Sequence, residues 1–394
     1  MSNSFDELLE RRGTGSLKWD TARDDELPLW VADMDFAVPR PVIERVLKRL
    51  EHPIIGYPDG VDSYVDSFVR WMSNRHGWEP ARESVMYAPG VMPAVHRAID
   101  MFSRAGEPVV VQSPVYFPFF HAIESHGRVV ATAPLREVDR GRRLYYEMDF
   151  DALEEAFGRG AKLFLLCSPH NPVGRVWTQE ELTKVAQLAE GFDAVVLADE
   201  IHCDVIFPGH RFVPFLSLGE KVGRRAWAVT APSKTFNIPG LQTGFAIVPH
   251  FAGRERVKHS FEKIGATMPN VLSMEATIAA YEEGSPWLDE LLVYLKENYD
   301  TLCSFVDEKL APLRVVEQEG TYITWLDFRQ IMSRSGLDPK RFAAAMRRDG
   351  AVWLSPGHIF GPGGEGFMRI NIATPRSRLV EALERIETFT REWR

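Results

Sequence analysis

Short apolar runs that alternate with amphipathic segments between about residues 85 and 250 constrain this fold more than any other feature. The segments between the runs repeat apolar residues at helical spacing, as in Met92, Val95, Ile99 and Phe102. The runs are SVMYA, EPVVVQ, RVVATA, AKLFLLC, DAVVLA, RRAWAVT and TGFAIV. Such alternation of strand and helix predicts an α/β fold with a mainly parallel sheet and helices on both of its faces.

The sequence pattern changes after about residue 255. Long helical stretches, SMEATIAAYEEG and SPWLDELLVYLKENYDTLCSFVDEKL, lead into the strand-like segment LRVVEQEGTYITWLDF. A helix in DPKRFAAAMRRDG then precedes a strand pair in GAVWLSPG and GFMRINIA. This mixture predicts a smaller α+β domain, and the first 50 or so residues either join it or bridge the two domains. Two domains also suit the length of 394 residues, which is too great for one compact core.

Composition excludes several classes of function. Hydrophobic residues make up 45% of the chain and charged residues 26%, which is an ordinary globular balance. The net charge of -9, without a long basic run, argues against nucleic acid and anionic membranes as partners. Three cysteines without CxxC spacing, no apolar leader and no apolar stretch of membrane-spanning length predict a soluble, cytoplasmic protein.

Several residues follow the ends of the predicted strands, which is where open α/β sheets bind ligands. Gly90 opens a helix, so the N–H groups of Gly90, Val91 and Met92 could bind a phosphate, although a plain strand-to-helix turn explains the same residues. Tyr116 could stack on a flat ring or belong to the core. Asn171 could bond a ligand or only favour its turn. Each signal alone leaves both explanations open.

Asp199 is the first polar residue after the buried run DAVVLA, where a carboxylate needs a partner. With His202, Cys203 and Asp204 it could suggest a metal site. Neither the spacing nor a second cluster completes a ligand set, so we expect no metal. A carboxylate that pairs with a cationic ring nitrogen explains Asp199 better.

Lys234 and Arg369 are cations in unusual surroundings. Lys234, in TAPSKTFNIPG, follows a predicted central strand, where burial and nearby cations would lower its pKa and free some of its amine as a nucleophile. Arg369, in FMRINIA, either bridges a buried carboxylate or binds a substrate carboxylate. The segment GPGGEG has the letters of the dinucleotide-binding pattern GxGxxG. It follows no strand and opens no helix, so we do not expect it to bind a dinucleotide.

Together these residues resemble the fold-type-I pyridoxal-phosphate enzymes of the class I/II aminotransferase superfamily. The resemblance covers nearly the whole chain and is carried by GYPDG, PGVMPAV, SPVYFPF, SPHNPVG, ADEIHCD, SKTFNIPGLQ, GTYITWLDF and GFMRINIATPR. It implies an aspartate-aminotransferase-like fold. A large cofactor-binding domain with a seven-stranded sheet would span residues 51–284, a small α+β domain residues 285–394, and an N-terminal segment, residues 1–50, would join the small domain.

The resemblance also implies how the cofactor is held. Lys234 would link pyridoxal 5'-phosphate covalently, Asp199 would pair with its ring nitrogen, and Tyr116 would stack on its ring. Asn171 and His202 would address the ring hydroxyl. The phosphate would be bound by Gly90, Val91, Met92 and Ser233.

The remaining implied roles concern the substrate and a second subunit. Arg369 would bind the substrate α-carboxylate, together with Asn171 and Asp33. Tyr57 would reach the phosphate of the neighbouring subunit's cofactor, which implies a homodimer with active sites at the subunit interface. Lys234 would act as the general base, and Tyr116 or Tyr57 would protonate the leaving sulfur.

Within the superfamily the chain is similar to the C–S lyase branch of cystathionine β-lyase and cystalysin. LPLWVADMDFAVPRPV near the N-terminus is the most branch-specific segment, and DEIH and SKTFNI agree with it. Many aminotransferases carry an arginine eight residues after the lysine and a tyrosine at the end of the aspartate motif. Those positions are Gln242 and His202 here, which weakens the case for a transaminase.

The resemblance therefore implies α,β-elimination from L-cystathionine or a related cysteine S-conjugate, which yields pyruvate, ammonia and a thiol, with a place in methionine biosynthesis. A class I/II aminotransferase is the first alternative. A protein that keeps the cofactor only for binding or regulation is the second. The sequence leaves open the natural sulfur substrate, the proton donor and the choice between dimer and tetramer.

Overall fold

The computed structural model of this chain describes residues 5–393, so the first four residues of the predicted N-terminal segment and Arg394 lie outside the described residues. The strands are β1 (Leu27–Pro28), β2 (Val85–Ala88), β3 (Pro108–Val111), β4 (Val129–Thr132), β5 (Arg136–Arg140), β6 (Arg143–Glu147), β7 (Leu163–Cys167), β8 (Val195–Asp199), β9 (Ala226–Thr230), β10 (Gly244–Ile247), β11 (Arg314–Val316), β12 (Ile323–Asp327), β13 (Val352–Trp353), β14 (Ser355–Pro356) and β15 (Phe367–Asn371). The α-helices are α1 (Leu17–Asp20), α2 (Arg40–Leu50), α3 (Val61–His76), α4 (Val91–Phe102), α5 (Pro118–Ser125), α6 (Phe150–Gly158), α7 (Gln179–Gly191), α8 (Glu220–Gly223), α9 (Pro232–Thr235), α10 (Phe251–Glu262), α11 (Val271–Glu283), α12 (Ser285–Lys309), α13 (Arg329–Ser335), α14 (Pro339–Asp349) and α15 (Arg376–Phe389).

A seven-stranded sheet forms the centre of the larger part of the molecule, in the order β2-β10-β9-β8-β7-β3-β4. Its strands are the seven apolar runs of the sequence, which confirms the predicted α/β architecture. All pairs are parallel except those of β10, which runs antiparallel to β2 and β9. The link from β9 to β10 holds only the one-turn helix α9 and a 3₁₀ turn, and it lacks the longer helix that parallel crossovers usually contain.

Helices cover both faces of this sheet, as the near-continuous apolar strands predict. Alternate residues of β7 enter two different cores: Phe164 and Leu166 belong to the core that includes residues of α6 and α7, and Leu163 and Leu165 to the core that includes residues of α4. Helix α7 begins with a complete capping box between Thr178 and Glu181. None of the helices in the described part of the chain is both long and apolar enough to cross a bilayer.

A second sheet has the order β14-β15-β12-β11-β6-β5, and β1 pairs with β13 as a separate short parallel ladder. The hairpin β5–β6 was not expected from the sequence. It lies inside the predicted range 51–284 yet pairs with β11 of the C-terminal part. The division at residues 50 and 284 stays a prediction, while the mixed character of the C-terminal part is as expected.

Candidate active site

A cavity of about 680 Å³ lies at the carboxyl ends of the parallel strands and reaches β14 and β15 of the second sheet. Each parallel strand delivers its following residues to the same edge, and this gathers side chains that are far apart in sequence. The predicted site residues that line the cavity are Gly90, Val91, Met92, Tyr116, Asn171, Asp199, His202, Ser233, Lys234 and Arg369. Tyr57 and Asp33 are not among its lining residues.

Lys234 enters the cavity from α9, directly after the buried strand β9. Its Nζ donates a hydrogen bond to the main-chain oxygen of Ala32 at 2.6 Å. Burial and the charge of Arg369 lower the pKa of Lys234 to about 8, although Asp33 and Asp199 oppose the shift. An amine with this pKa is partly neutral near pH 7 to 8, so it can act as a nucleophile or a base.

Asp199 ends β8 and is almost completely buried. Its Oδ1 accepts a hydrogen bond from the N–H of Ile201 at 3.1 Å. Burial raises the pKa of Asp199 to about 7, and the Ile201 N–H and the charge of Lys234 reduce this shift. A cationic nitrogen beside this carboxyl would restore its charge, because an opposite charge favours the ionised form.

His202, three residues after Asp199, faces the same cavity. Burial lowers its pKa to about 3, and the charges of Lys234 and Arg369 act in the same direction, so the ring is neutral. Its Nδ1 is buried and has no hydrogen-bond partner among the described residues. Because buried polar atoms are usually bonded, this atom is suited to meet a polar group in the cavity.

The N-terminus of α4 contributes main-chain donors. Gly90 precedes the helix with a φ of 132°, a conformation that favours glycine, and no side chain caps the first turn. The N–H groups of Val91 and Met92 therefore lack intrahelical acceptors and lie at the cavity. This end of a twelve-residue helix, together with Ser233, can hold an anion such as a phosphate.

Arg369 enters the cavity from β15 and is 4% exposed. Its guanidinium donates to Asn171 Oδ1 at 3.1 Å, to the oxygen of Trp30 at 2.8 Å and to Ser355 Oγ at 3.3 Å. Burial lowers the pKa of Arg369 to about 10. Its Nε lacks an acceptor, and no carboxylate of the described residues forms an ion pair with it. Of the two sequence interpretations, a bridge to a protein carboxylate is therefore wrong, and the guanidinium is available to a ligand.

The three remaining predicted residues differ in their placement. Tyr116 lines the cavity at the end of the segment after β3, and burial raises the pKa of its hydroxyl. Asp33 lies close by, but its Oδ2 accepts from Arg11 at 2.7 Å. Tyr57 lies in the loop before α3 and is 95% exposed. The roles expected of Asp33 and Tyr57 stay predictions.

Sequence reasoning missed residues that hold the predicted ones in place. The oxygen of Ala32 accepts from both Lys234 and the hydroxyl of Tyr322, the latter at 3.0 Å. Trp30 and Ser355 bind Arg369 as described above. Trp30 and Ala32 belong to LPLWVADMDFAVPRPV, and Tyr322 belongs to GTYITWLDF. Both segments carry the family resemblance, but the sequence assigns no role to these three positions.

A second group of ionisable residues lies beside the cavity rather than in it. Ligand atoms of His76, Cys203 and Asp204 come within 4.8 Å of one another. The Asp204 carboxylate already accepts hydrogen bonds from Trp71, His76 and Thr235, so its oxygens are engaged within the protein. The four residues that could suggest a metal site in the sequence therefore lie in two places. Asp199 and His202 line the cavity, whereas Cys203 and Asp204 lie behind it.

Comparison with known proteins agrees with this geometry. Cystathionine beta-lyase PatB of Bacillus subtilis is 40% identical over 390 residues, which cover 98% of this chain and 99% of that protein. Protein MalY of Escherichia coli is 34% identical over 388 residues, with 96% of each chain covered. The crystal structure of cystalysin from Treponema denticola, which contains a pyridoxal 5'-phosphate cofactor, matches with a TM-score of 0.94 and 34% identity over the full length of both chains. Residues 26–386 match the family model of aminotransferase class I and II, and the chain belongs to that family.

Proposed function

We propose that this protein is a pyridoxal-phosphate-dependent carbon–sulfur β-lyase, which cleaves L-cystathionine or related cysteine S-conjugates to pyruvate, ammonia and a thiol. The observation that carries the proposal is the full-length likeness to PatB, whose name states this activity. The cavity supports it, because an amine, a carboxyl group and a guanidinium without a carboxylate partner meet there. A cytoplasmic location and a part in methionine biosynthesis are further predictions.

The residues of the cavity fit pyridoxal phosphate. Lys234 would hold the cofactor covalently, and the N-terminus of α4 with Ser233 would bind its phosphate. The buried Nδ1 of His202 and the buried carboxyl of Asp199 are two polar groups that the ring hydroxyl and ring nitrogen would satisfy. When bound, the cofactor supplies an electron sink for the electron pair that remains after a proton leaves the substrate Cα.

The chain itself orients the substrate and moves the proton. Arg369, which forms no ion pair with a carboxylate of the described residues, would bind the α-carboxylate. Hydrogen bonds to the Trp30 oxygen and to Ser355 Oγ fix the guanidinium, which would hold the Cα–H bond of the bound substrate in one orientation. Once the amino group of the substrate has displaced Lys234 from the cofactor, the neutral amine of Lys234 would be free to take the Cα proton as general base.

Elimination follows at the neighbouring carbon. The Cβ–S bond breaks, the thiolate leaves with its electron pair, and the remaining enamine hydrolyses to pyruvate and ammonia. The Asp199 carboxylate would hold the ring nitrogen of the bound cofactor in its protonated form. Tyr116 remains protonated near neutral pH, because burial raises its pKa, so it can donate a proton to the leaving sulfur. Tyr57 of a second subunit is the other candidate donor.

A homodimer is part of the proposal. Helix α2 exposes Ile43, Leu47 and Leu50 on one face, and the following loop exposes Ile54, Ile55 and Tyr57. An apolar patch of this kind marks an interaction surface. A second copy of the chain on this surface would bury the patch and bring Tyr57 towards the neighbouring cavity.

The main alternative is a class I/II aminotransferase, which would use the same lysine. Gln242 lines the cavity with a neutral side chain at the position where many aminotransferases carry an arginine. This residue favours the lyase.

Pyruvate release from L-cystathionine tests the proposal directly. Purified protein with pyridoxal phosphate and no keto acid should form pyruvate and homocysteine in equal amounts. Lys234→Ala should abolish both the reaction and the covalent cofactor link. Amino-group transfer to an added keto acid, with no pyruvate in its absence, would establish the aminotransferase instead.

A further inference from the structure

Asp204 is a buried carboxylate that the proposed chemistry does not use. It is 3% exposed and lies two residues after His202, in the loop that follows β8. Its Oδ1 accepts from Trp71 Nε1 at 3.0 Å and from His76 Nε2 at 2.7 Å, and its Oδ2 accepts from Thr235 Oγ1 at 2.7 Å. These hydrogen bonds and the electrostatic interaction with His76 outweigh the effect of burial and lower the pKa of Asp204, so the group is an anion near neutral pH.

The third donor connects this carboxylate to the proposed catalytic lysine. Thr235 directly follows Lys234 in α9, and its side chain is completely buried. The helix has only one turn, so its own hydrogen bonds cannot fix its orientation. The bond from Thr235 to Asp204 is therefore an external attachment for the main chain that carries Lys234.

Asp204 also lies on the short loop after β8 that carries His202, which faces the cavity. Its carboxylate joins that loop to α9 and, through Trp71 and His76, to α3. The spacing between Lys234, Asp199 and His202 thus depends on one anion shared by three elements. Charged hydrogen bonds of this kind are stronger than neutral ones and have defined directions.

The substrate-carboxylate side of the cavity has separate supports. Arg369 and Ser355 come from β15 and β14, and Trp30 from the segment after β1. None of these residues bonds to Asp204 or Thr235. A change at Thr235 is therefore expected to move the lysine relative to the substrate, while the substrate is still bound.

We infer that Asp204 and Thr235 are positioning residues, which fix the Lys234 amine at the distance and angle needed for proton removal from the substrate. The inference rests on the proposed function and concerns how its base is held. Misplacement of a reacting group by about 1 Å can lower a rate about 100-fold.

The test compares Thr235→Val, which keeps the shape and removes the hydroxyl, with Thr235→Ser, which keeps the hydroxyl. Thr390→Val is the matched control, because Thr390 is also completely buried and its hydroxyl bonds to Ile386 in α15 at 2.7 Å. We expect Thr235→Val to lower kcat for pyruvate release about 10- to 100-fold with KM within about twofold. Thr235→Ser should retain most of the rate, and Thr390→Val all of it.

A second readout does not depend on turnover. The pH titration of the visible absorbance of the Lys234-linked cofactor should shift in Thr235→Val and remain unchanged in Thr235→Ser and Thr390→Val. Asp204→Asn should reproduce the shift, and the double variant with Thr235→Val should show less than the sum of the two single effects, because the two substitutions share the bond between Thr235 and Asp204. Asp204→Asn alone also serves as the test if Thr235→Val does not fold.

Several results would overturn the inference. An unchanged kcat and titration in both Thr235→Val and Asp204→Asn would remove the positioning role. Equal losses in Thr235→Ser and Thr235→Val would assign the effect to packing, and an equal loss in Thr390→Val would assign it to general stability. If the unaltered protein released no pyruvate, the proposed function would fail, while the absorbance titration would still decide the position of Lys234.

Discussion

Several residues of the cavity are both ionisable and buried. These two properties usually conflict, because a charged group is stabilised by water. Asp199 and Arg369 are buried and lack ion-pair partners among the described residues, and the pKa of each is shifted towards its neutral form. Such groups reduce the stability of the folded chain, and they are tolerated because a ligand can compensate their charge. Their substitution should therefore separate stability from activity.

Arg369→Met is the first such substitution. Activity with L-cystathionine should fall by about 10²- to 10⁴-fold in kcat/KM, which is the value of two charge-assisted hydrogen bonds at about 1.5 to 3 kcal/mol each. Stability should rise by about 2 kcal/mol, because a buried charge is removed and water in the cavity can replace its bonds to Asn171, Trp30 and Ser355. Kinetics and thermal unfolding measure the two effects. Arg369→Lys, which keeps the charge, should gain no stability; a destabilised Arg369→Met would contradict this account.

Asp199→Asn should show a pH-dependent gain in stability in protein without cofactor. The folded pKa of Asp199 is raised to about 7, so the unfolded chain releases this proton first as pH rises from about 4. Stability contributed by this group is full below pH 4 and lost by pH 7, a difference of at most about 4 kcal/mol. Thermal unfolding at pH 8 should show Asp199→Asn to be more stable than the unaltered chain, and at pH 4 the difference should vanish.

Asp204→Asn is the control for that experiment, because Asp204 is also a buried carboxylate but its pKa is lowered, whereas that of Asp199 is raised. Its lowered pKa contributes stability above the unfolded pKa, and that stability is lost as pH falls. Asp204→Asn should therefore lower the melting temperature at pH 8. If both substitutions changed stability in the same direction, burial alone would not explain the pKa of Asp199.

Most of the site was predictable at the residue scale because its members directly follow apolar strands. Asp199, Lys234 and Asn171 each stand out as polar residues after a buried run. Ala32 gave no such signal, since it acts through its main-chain oxygen, which any residue possesses. Asp204 was noticed only as a possible metal ligand, because its partners Trp71 and His76 come from a distant helix.

At the scale of elements, apolar runs identified the seven strands of the central sheet, but the hairpin β5–β6 carries no such signal. Its first strand is almost entirely exposed, and charged residues such as Arg136 and Asp139 dominate it. The direction of β10 also escaped the sequence, because periodicity is the same for parallel and antiparallel strands. Strand identity is thus local information, whereas direction depends on the length of the connection.

The glycine-rich segment GPGGEG has a structural explanation at this scale. A Cβ on Gly357 would overlap the main-chain oxygens of Gly364 and Phe367, so the two chain segments meet only through glycine. Gly357 directly follows β14, which carries Ser355. We expect Gly357→Ala to destabilise the protein by about 3 kcal/mol and to lower kcat/KM, because Ser355 and Arg369 move apart.

Gly158→Ala is the matched control for this element. Gly158 is the last residue of α6, and a Cβ there would meet no atom within 4 Å. Its replacement should stabilise the protein by about 0.5 to 1 kcal/mol and leave activity unchanged. Denaturant unfolding and pyruvate release compare the two variants; an unaffected Gly357→Ala would show that the loop can open to accept a side chain.

At the scale of the whole molecule, one described chain leaves a prominent apolar surface uncovered. Ile54 is 68% exposed and Tyr57 95%, and both follow the exposed face of α2. Exposed aromatic and aliphatic residues in one segment are typical of subunit interfaces. Because Tyr57 does not line the cavity that contains Lys234, the role proposed for Tyr57 requires a second copy of the chain.

Mixing two inactive variants tests whether Tyr57 acts across that interface. Lys234→Ala and Tyr57→Ala should each release little pyruvate alone. When the two chains are co-expressed, about half of the dimers are mixed, and each mixed dimer has one site with both residues intact, so about a quarter of full activity should return. Lys234→Ala mixed with Tyr116→Ala should recover nothing if both residues serve the same chain's cavity. Full activity of Tyr57→Ala alone would place Tyr57 outside the reaction. No recovery in the first mixture would place it within the site of its own chain. In either case, only the apolar surface would support the dimer.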